Sequence, residues 1–186
     1  VMRLRLRLLL VIISSLWRKP MGPFDESVLN LRVLPNDVDV TRVTTDRYTA
    51  LAELGRIDWM LRVGLFRTML KRRWAPVSRI NTIRFRYPLR LFQKYQLRSR
   101  VVYWDDTWAY FEHHFQRKGR TIALSYGQGV FRGPQGLVPT GEALTLACST
   151  LFLDKVPFAT LATNKNYNYH KKGFVILLPY SSTKRS

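Results

Sequence analysis

Between residues 45 and 131 the spacing of apolar side chains changes period, and few folds accommodate both halves of that change. Leu51, Leu54, Ile57, Met60 and Leu61 recur at helical intervals, whereas from Pro76 onward apolar and polar residues alternate with period two. Strands are predicted over 77–87, 95–103, 108–117 and 121–131, the later ones joined by short turns at Asp105-Asp106 and Lys118-Gly119. An earlier strand is predicted over 27–34, where Leu29, Leu31 and Val33 alternate with Asn30 and Arg32. Thr44, Thr45 or Asp46 can cap the long helix, Gly64 interrupts it, and 65–73 supplies a second, basic helical piece. The FRGPQG segment closes the sheet, and 139–148 is a short helix that Thr140 can cap. The expected class is α+β, with one early strand, one long helix and four later antiparallel strands. Leu29, Leu31, Leu51, Leu54, Met60, Val101 and Phe111 are expected in its core.

At 186 residues with 46% hydrophobic content, the chain suffices for one domain with a real core plus extensions; no internal repeat is present. Three parts are expected: a basic N-terminal segment (1–24), the domain (25–148) and a C-terminal extension (149–186). Residues 1–24 hold five basic residues and no acid, and their longest apolar run, 8–13, is far too short to span a bilayer. Leu4, Leu8, Val11, Ile12 and Leu16 can share one helical face, so an amphipathic helix is expected on a membrane, on a partner or on its own domain. An arginine-rich, acid-free start also resembles a mitochondrial targeting segment, here expected to be retained. Val1 precedes Met2, and the natural start is expected upstream. Pro20, Gly22 and Pro23 read as a hinge, so removing residues 1–19 is expected to leave the domain folded. The extension carries NKNYNYHKKG and then FVILLPY.

The charge balance is unusual: 31 Lys and Arg against 12 Asp and Glu, a net charge of +19. Eleven basic and three acidic residues fall in 76–139, so the excess is not confined to a tail. Such a chain asks for an anionic neighbour: RNA, anionic lipid or an acidic protein surface. The single cysteine, Cys148, excludes an intramolecular disulfide framework and reads as a small buried apolar residue. His113 and His114 are adjacent on a strand and point to opposite faces, so they cannot ligate one metal; neither a metal site nor a cofactor is expected. Trp104, Trp108, Tyr110 and Phe111 beside Arg84, Arg86, Arg98 and Arg100 read as core aromatics alternating with solvated cations rather than as a single-strand nucleic-acid platform.

The segment 34–65, LPNDVDVTRVTTDRYTALAELGRIDWMLRVGL, resembles the active-site stretch of hotdog-fold acyl-CoA thioesterases of the 4-hydroxybenzoyl-CoA thioesterase type. Their pattern D-x-D-x-x-x-H-(M/V)-N-N-x-x-Y is matched by Asp37, Asp39 and Tyr48, and Val43 keeps the apolar position. Arg42 stands where the family has histidine, Thr44 and Thr45 where it has two asparagines, and the interval from Asp39 to Tyr48 is one residue short. The resemblance continues through the central helix and the strands of 83–101 and 103–115, covering about residues 25–144.

The resemblance implies a hotdog fold, in which the sheet wraps the helix, with Asp39 as the catalytic carboxylate if turnover survives. Asp39 would then attack the thioester carbon or activate a water, while backbone N–H groups at the helix start bind the carbonyl oxygen. Thr44, Thr45 and Tyr48 are the candidate substrate-binding residues. Arg42 is expected to bind a phosphate, to pair with Asp39 or to face solvent. The rewritten quartet and shortened loop point to a non-catalytic structural subunit of a large mitochondrial assembly, a respiratory-chain complex or ribosome, in the inner membrane or matrix. The alternative is an active thioesterase acting on medium- or long-chain acyl-CoA at a membrane surface. Family members dimerise through a sheet edge, so that edge is expected to meet a second copy or another subunit.

Overall fold

The computed structural model describes residues 2–39 and 41–151. A first helix, α1 (Met2–Leu16), precedes strand β1 (Ser27–Arg32) and a short 3-10 turn, Pro35–Asp37. A two-residue-per-strand hairpin, β2 (Val38–Asp39) with β3 (Arg42–Val43), leads into the central helix α2 (Thr45–Arg62) and then α3 (Leu65–Arg72). Four long strands follow, β4 (Ala75–Phe85), β5 (Lys94–Trp104), β6 (Ala109–Arg117) and β7 (Arg120–Gly133), then β8 (Gly136–Val138) and α4 (Thr140–Leu151). The antiparallel sheet runs β1-β5-β6-β7-β4, with β8 folded back on β7. The predicted strands are present within about two residues, and the FRGPQG segment forms the turn before β8. The hairpin and β8 are additions, too short to show a period.

The helical stripe read from sequence accounts for only part of what α2 buries. Leu51, Leu54 and Met60 are buried, with Ile57 and Leu61 partly so. Tyr48, Ala52, Gly55, Arg56, Asp58 and Trp59 are buried as well, because the sheet covers one side of α2 and α1 another. Leu29, Val101 and Phe111 join the core as expected, and Leu31 packs at its margin.

Two apolar clusters fill the interior. One gathers around Trp59, Met60, Val101 and Phe111; the other gathers around Tyr48, Leu51, Leu97 and Phe115. A row of polar side chains crosses the sheet between them at a single register, Ser27 opposite Ser99, Ser99 opposite His113, and His113 opposite Ser125. All four are buried. Ser27 donates to Asp58 on α2, His113 Nδ1 lies 2.8 Å from Ser99 Oγ, and Ser125 Oγ donates to Asn81 Oδ1 at 2.9 Å. Gly55 lies over this row. A methyl there would overlap Ser99 Oγ and stand 3.0 Å from Leu97 Cδ2, so helix and β5 touch where only a hydrogen fits.

The stretch between α1 and β1 is held rather than hinged. Met21 is buried and its N–H bonds the Arg62 carbonyl at 3.2 Å, while Phe24 stacks on Trp104 at 4.8 Å. The expected helix after Pro139 is present, but the Thr140 hydroxyl donates to the Thr107 carbonyl (2.9 Å), tying α4 to the β5–β6 turn. The extension from residue 152 lies outside the described residues.

Two outcomes follow from the row beneath α2. Gly55→Ala should lower stability by about 1–3 kcal/mol, despite alanine's better helix propensity, and a thermal melt reads this as a lower Tm. The second concerns acid. Burial, with Arg56 nearby, holds the His113 imidazole well below its ordinary 6.5, at about 3. Between those values the unfolded chain takes up a proton that the folded one refuses, so stability falls as pH drops from 6.5 towards 3, by about 1.4 kcal/mol per unit. Denaturant titrations from pH 7 to 4 should show this slope, flattened in His113→Gln; an unchanged slope in the variant would assign it elsewhere.

Candidate active site

The segment that carries the two aspartates is folded back on itself before α2 begins. The 3-10 turn reverses the chain after Leu34 and places Asp37 inside the domain. There its carboxylate accepts two hydrogen bonds from Arg7 of α1, Nη1 to Oδ1 at 3.0 Å and Nη2 to Oδ2 at 2.7 Å. The Leu34 N–H adds a third at 2.9 Å, and Arg7 Nη2 also donates to the Arg32 carbonyl at 2.8 Å. This forked pairing uses both carboxylate oxygens, and both partners are buried. Asp37 is therefore a structural anchor.

Asp39 lies two residues on and has the opposite surroundings. It ends β2 facing Arg42 across the hairpin, is exposed, and has no partner among the described residues. The expected Asp39–Arg42 ion pair does not form there. The hairpin is instead fastened at its far side, where the Val43 N–H bonds the Leu89 carbonyl at 3.0 Å.

Thr44 occupies the N-cap position of α2 with extended backbone angles (φ −80°, ψ 158°), but its hydroxyl donates to the Asp46 carboxylate instead of accepting a backbone N–H. That bond also draws the exposed Asp46 carboxyl below its ordinary range. The capping role read for Thr44 is thus positional only. Thr45 is exposed on the first turn.

Tyr48 is buried. Its ring packs edge-on against Phe85 and Phe115 at about 5 Å, and its hydroxyl accepts the Leu89 N–H at 3.3 Å. Burial raises its pKa.

Beside the start of α2 lies an open pocket of about 260 Å³, lined by Arg42, Val43, Thr45, Tyr48, Phe85, Arg86, Tyr87 and Pro88. The structure brings Thr45 and Tyr48 to it, along with Arg42; Asp39 and Thr44 are not in its lining. Two guanidinium groups and several rings face it, and no carboxylate does. Arg86 falls inside the strand predicted over 77–87 and reads, with Arg84, Arg98 and Arg100, as a solvated cation beside core aromatics, with no link to the helix start. Arg7 was not assigned either, since nothing in the sequence couples it to a residue thirty positions away.

The other candidates also have places. His113 faces the core and His114 the other side of the sheet, where its Nε2 lies 3.1 Å from Glu112 Oε1. Burial opposes ionisation of Glu112, but hydrogen bonds from His114, Arg100 and Tyr126 outweigh it and hold the carboxyl at about 2. Trp104, Tyr110 and Phe111 are buried, and Trp108 carries Arg79 over its ring at 4.9 Å. Three of the four aromatics are thus buried, and Trp108 is half-buried under Arg79.

An antiparallel sheet curled over one long helix, with an aspartate-bearing hairpin at the helix start, defines a hotdog thioesterase scaffold. The model of the thioesterase-like superfamily matches residues 33–139, and the chain belongs to that family. Protein THEM6 of Danio rerio is 31% identical over 118 residues, 61% of this chain and 58% of the relative. Protein THEM6 of Xenopus laevis is 36% identical over 84 residues, 45% of this chain and 41% of the relative. The chain thus matches about half the length of these relatives. A hypothetical protein from Thermus thermophilus superposes with a TM-score of 0.59 over 70% of this chain and all of that one, at 23% identity, a likeness of fold alone.

The Arg7–Asp37 pair carries a direct test. Arg7→Ala leaves a buried carboxylate without its cation and should cost about 3–5 kcal/mol. Deleting residues 1–19 should likewise destabilise the domain, in contrast to the hinge reading. A cooperative melt unchanged in both variants would show that the pair holds nothing together.

Proposed function

We propose that this chain is a non-catalytic member of the thioesterase-like family, serving as a structural subunit of a larger, mitochondrial assembly such as a respiratory-chain complex or ribosome. The observation that carries the reading is the fate of the two aspartates. Asp37 is consumed by Arg7, and Asp39 stands in solvent outside the pocket at the helix start. Thioester cleavage needs a carboxylate aimed at the reacting carbon, and small displacements from that geometry cost orders of magnitude in rate. With arginine and threonines in place of the family's histidine and asparagines, no other side chain of the loop supplies the missing group.

Two features support a role in assembly. Strand β4 pairs only with β7 among the described residues, and it exposes Val77, Ile80 and Phe85. An eleven-residue edge with free backbone groups is a template for another strand, so a second copy or another subunit is the expected neighbour. The net charge of +19 suits an anionic companion such as RNA. The mitochondrial placement rests on the arginine-rich, acid-free sequence of residues 1–24.

Purified protein assayed against medium- and long-chain acyl-CoAs should turn over at least a hundredfold more slowly than an intact relative, on the order expected for a displaced catalytic group. The residual rate should be unchanged in Asp39→Ala. Robust hydrolysis abolished by Asp39→Ala would establish the active thioesterase instead.

A further inference from the structure

On the side of the sheet turned away from α2, the ends of β1, β5 and β6 build an open groove of about 740 Å³. Register sets Arg32 of β1 opposite Lys94 of β5. Two residues along the same strands, Asn30 stands opposite Gln96, which in turn faces Gln116 of β6. These positions alternate with Leu29, Leu31, Tyr95 and Leu97, which pack inward, so they share the outer face. Strand β6 then runs into the Lys118-Gly119 turn, and Arg117 and Lys118 complete the wall. Four cations meet in this one groove, none with an ion-pair partner among the described residues, and no acid lines it.

Two details narrow what such a groove can hold. Lys118 has φ 48° and Gly119 φ 75°, the left-handed pair of a two-residue hairpin turn, and asparagine or glycine takes the first of these positions at less cost than lysine. Backbone preference therefore does not account for a cation at the tip. The second detail is the row of amides beside the cations, about 7 Å along the strands. Gln96 Nε2 donates to Asn30 Oδ1 at 3.1 Å, which leaves the Asn30 amide hydrogens as donors and the Gln96 oxygen as an acceptor for a ligand. The one ring in the lining, Tyr95, is buried.

We propose that this groove binds RNA through its ribose–phosphate backbone. Phosphates answer the four cations, and ribose 2′-hydroxyls, each a donor and an acceptor at once, answer the amide row. Lipid phosphates and the carboxylates of an acidic peptide only accept hydrogen bonds, and DNA lacks the hydroxyl, so each leaves the amide oxygens unanswered. With no exposed ring in the groove to stack a base, the contact is independent of base identity. The inference rests on the assembly reading for an anionic companion and gives that companion a surface; its binding is measured apart from thioester turnover.

Fluorescence anisotropy of the full chain with a labelled, unstructured RNA oligomer tests it across a salt series. Lys94→Gln/Lys118→Gln should weaken binding about tenfold at physiological salt and reduce the slope of log affinity against log salt by about 1.4, the share of two phosphate contacts. Both residues are exposed, and a melt matching wild type shows that the variant folds. DNA of the same sequence should bind about tenfold more weakly than RNA, the effect of one or two lost hydrogen bonds. Gln96→Met should narrow that difference and keep the slope. Arg67→Gln/Lys71→Gln removes the same charge from exposed positions of α3 and should leave the slope unchanged. Equal affinity for RNA and DNA, an equal loss from the α3 pair, or a groove variant that binds RNA like wild type would overturn the proposal. So would binding to phosphatidylserine vesicles or to poly-glutamate that the groove variant loses while it keeps RNA, which would give the groove to a lipid or an acidic peptide. If RNA binding fails while thioester turnover is also absent, this inference falls and the non-catalytic reading stands.

Discussion

The closeness of α2 to β5 sets the geometry of everything packed around them. At Gly55 the helix approaches so near that a Cβ would overlap the Ser99 hydroxyl. A helix this close can have only small groups beneath it at that level, and the register supplies serines on β1, β5 and β7 with the flat ring of His113 on β6. Hydroxyls and an imidazole under a helix must be satisfied, and Asp58, Asn81 and the serine–histidine contact do so. The interior therefore splits into two apolar clusters with a polar seam between them. That seam is why the core contains an aspartate and a histidine, and why acid should loosen it.

The second constraint is the Arg7–Asp37 pair, which fuses the N-terminal helix to the loop bearing the family's aspartate pattern. A buried pair of this kind adds little net stability over an apolar contact, but it leaves few alternatives for where α1 lies, since either partner alone would be a buried uncompensated charge. Its cost to chemistry is specific. Once Asp37 is the anchor, only Asp39 is left for thioester attack, and the pocket where α2 starts has guanidinium groups and rings in its lining instead of that carboxylate.

The long strands and the central helix were legible because each carries a period that outlasts its neighbours' noise, and because Asp105-Asp106 and Lys118-Gly119 mark where strands must turn. The hairpin β2–β3 has two residues per strand, which no period can reveal. The polar seam was hidden for a different reason. Ser27, Ser99 and His113 share the strand parity of Leu29, Leu97 and Phe111, but that they align in one row beneath Gly55 depends on pairing between strands distant in sequence. For α1, the stripe Leu4, Leu8, Val11 and Ile12 indicated one apolar face, whereas Leu6, Leu9, Leu10 and Ile13 form another on the opposite side. Of the site residues, Tyr48 lies in the first turn of α2, and its burial against Phe85 and Phe115 depends on strands far away in sequence.

The excess of positive charge survives the pairing within the fold. Several acids among the described residues are paired within the fold: Asp37 with Arg7, Asp58 with Ser27 and Arg18, Glu53 with Arg56 and Ser78, Glu112 with Arg100, and Glu26 with Arg98. Even Asp105 accepts the N–H groups of its own turn. Each of these pairings with an arginine removes one charge of either sign, so the net charge of +19 persists and shows at cations such as Arg32, Lys94, Arg117 and Lys118, which have no ion-pair partner among the described residues. Asp39 lies outside this pairing and is exposed across from Arg42. A carboxylate so placed is fully hydrated, and a reaction that uses it must first strip that hydration without an enclosing site to compensate.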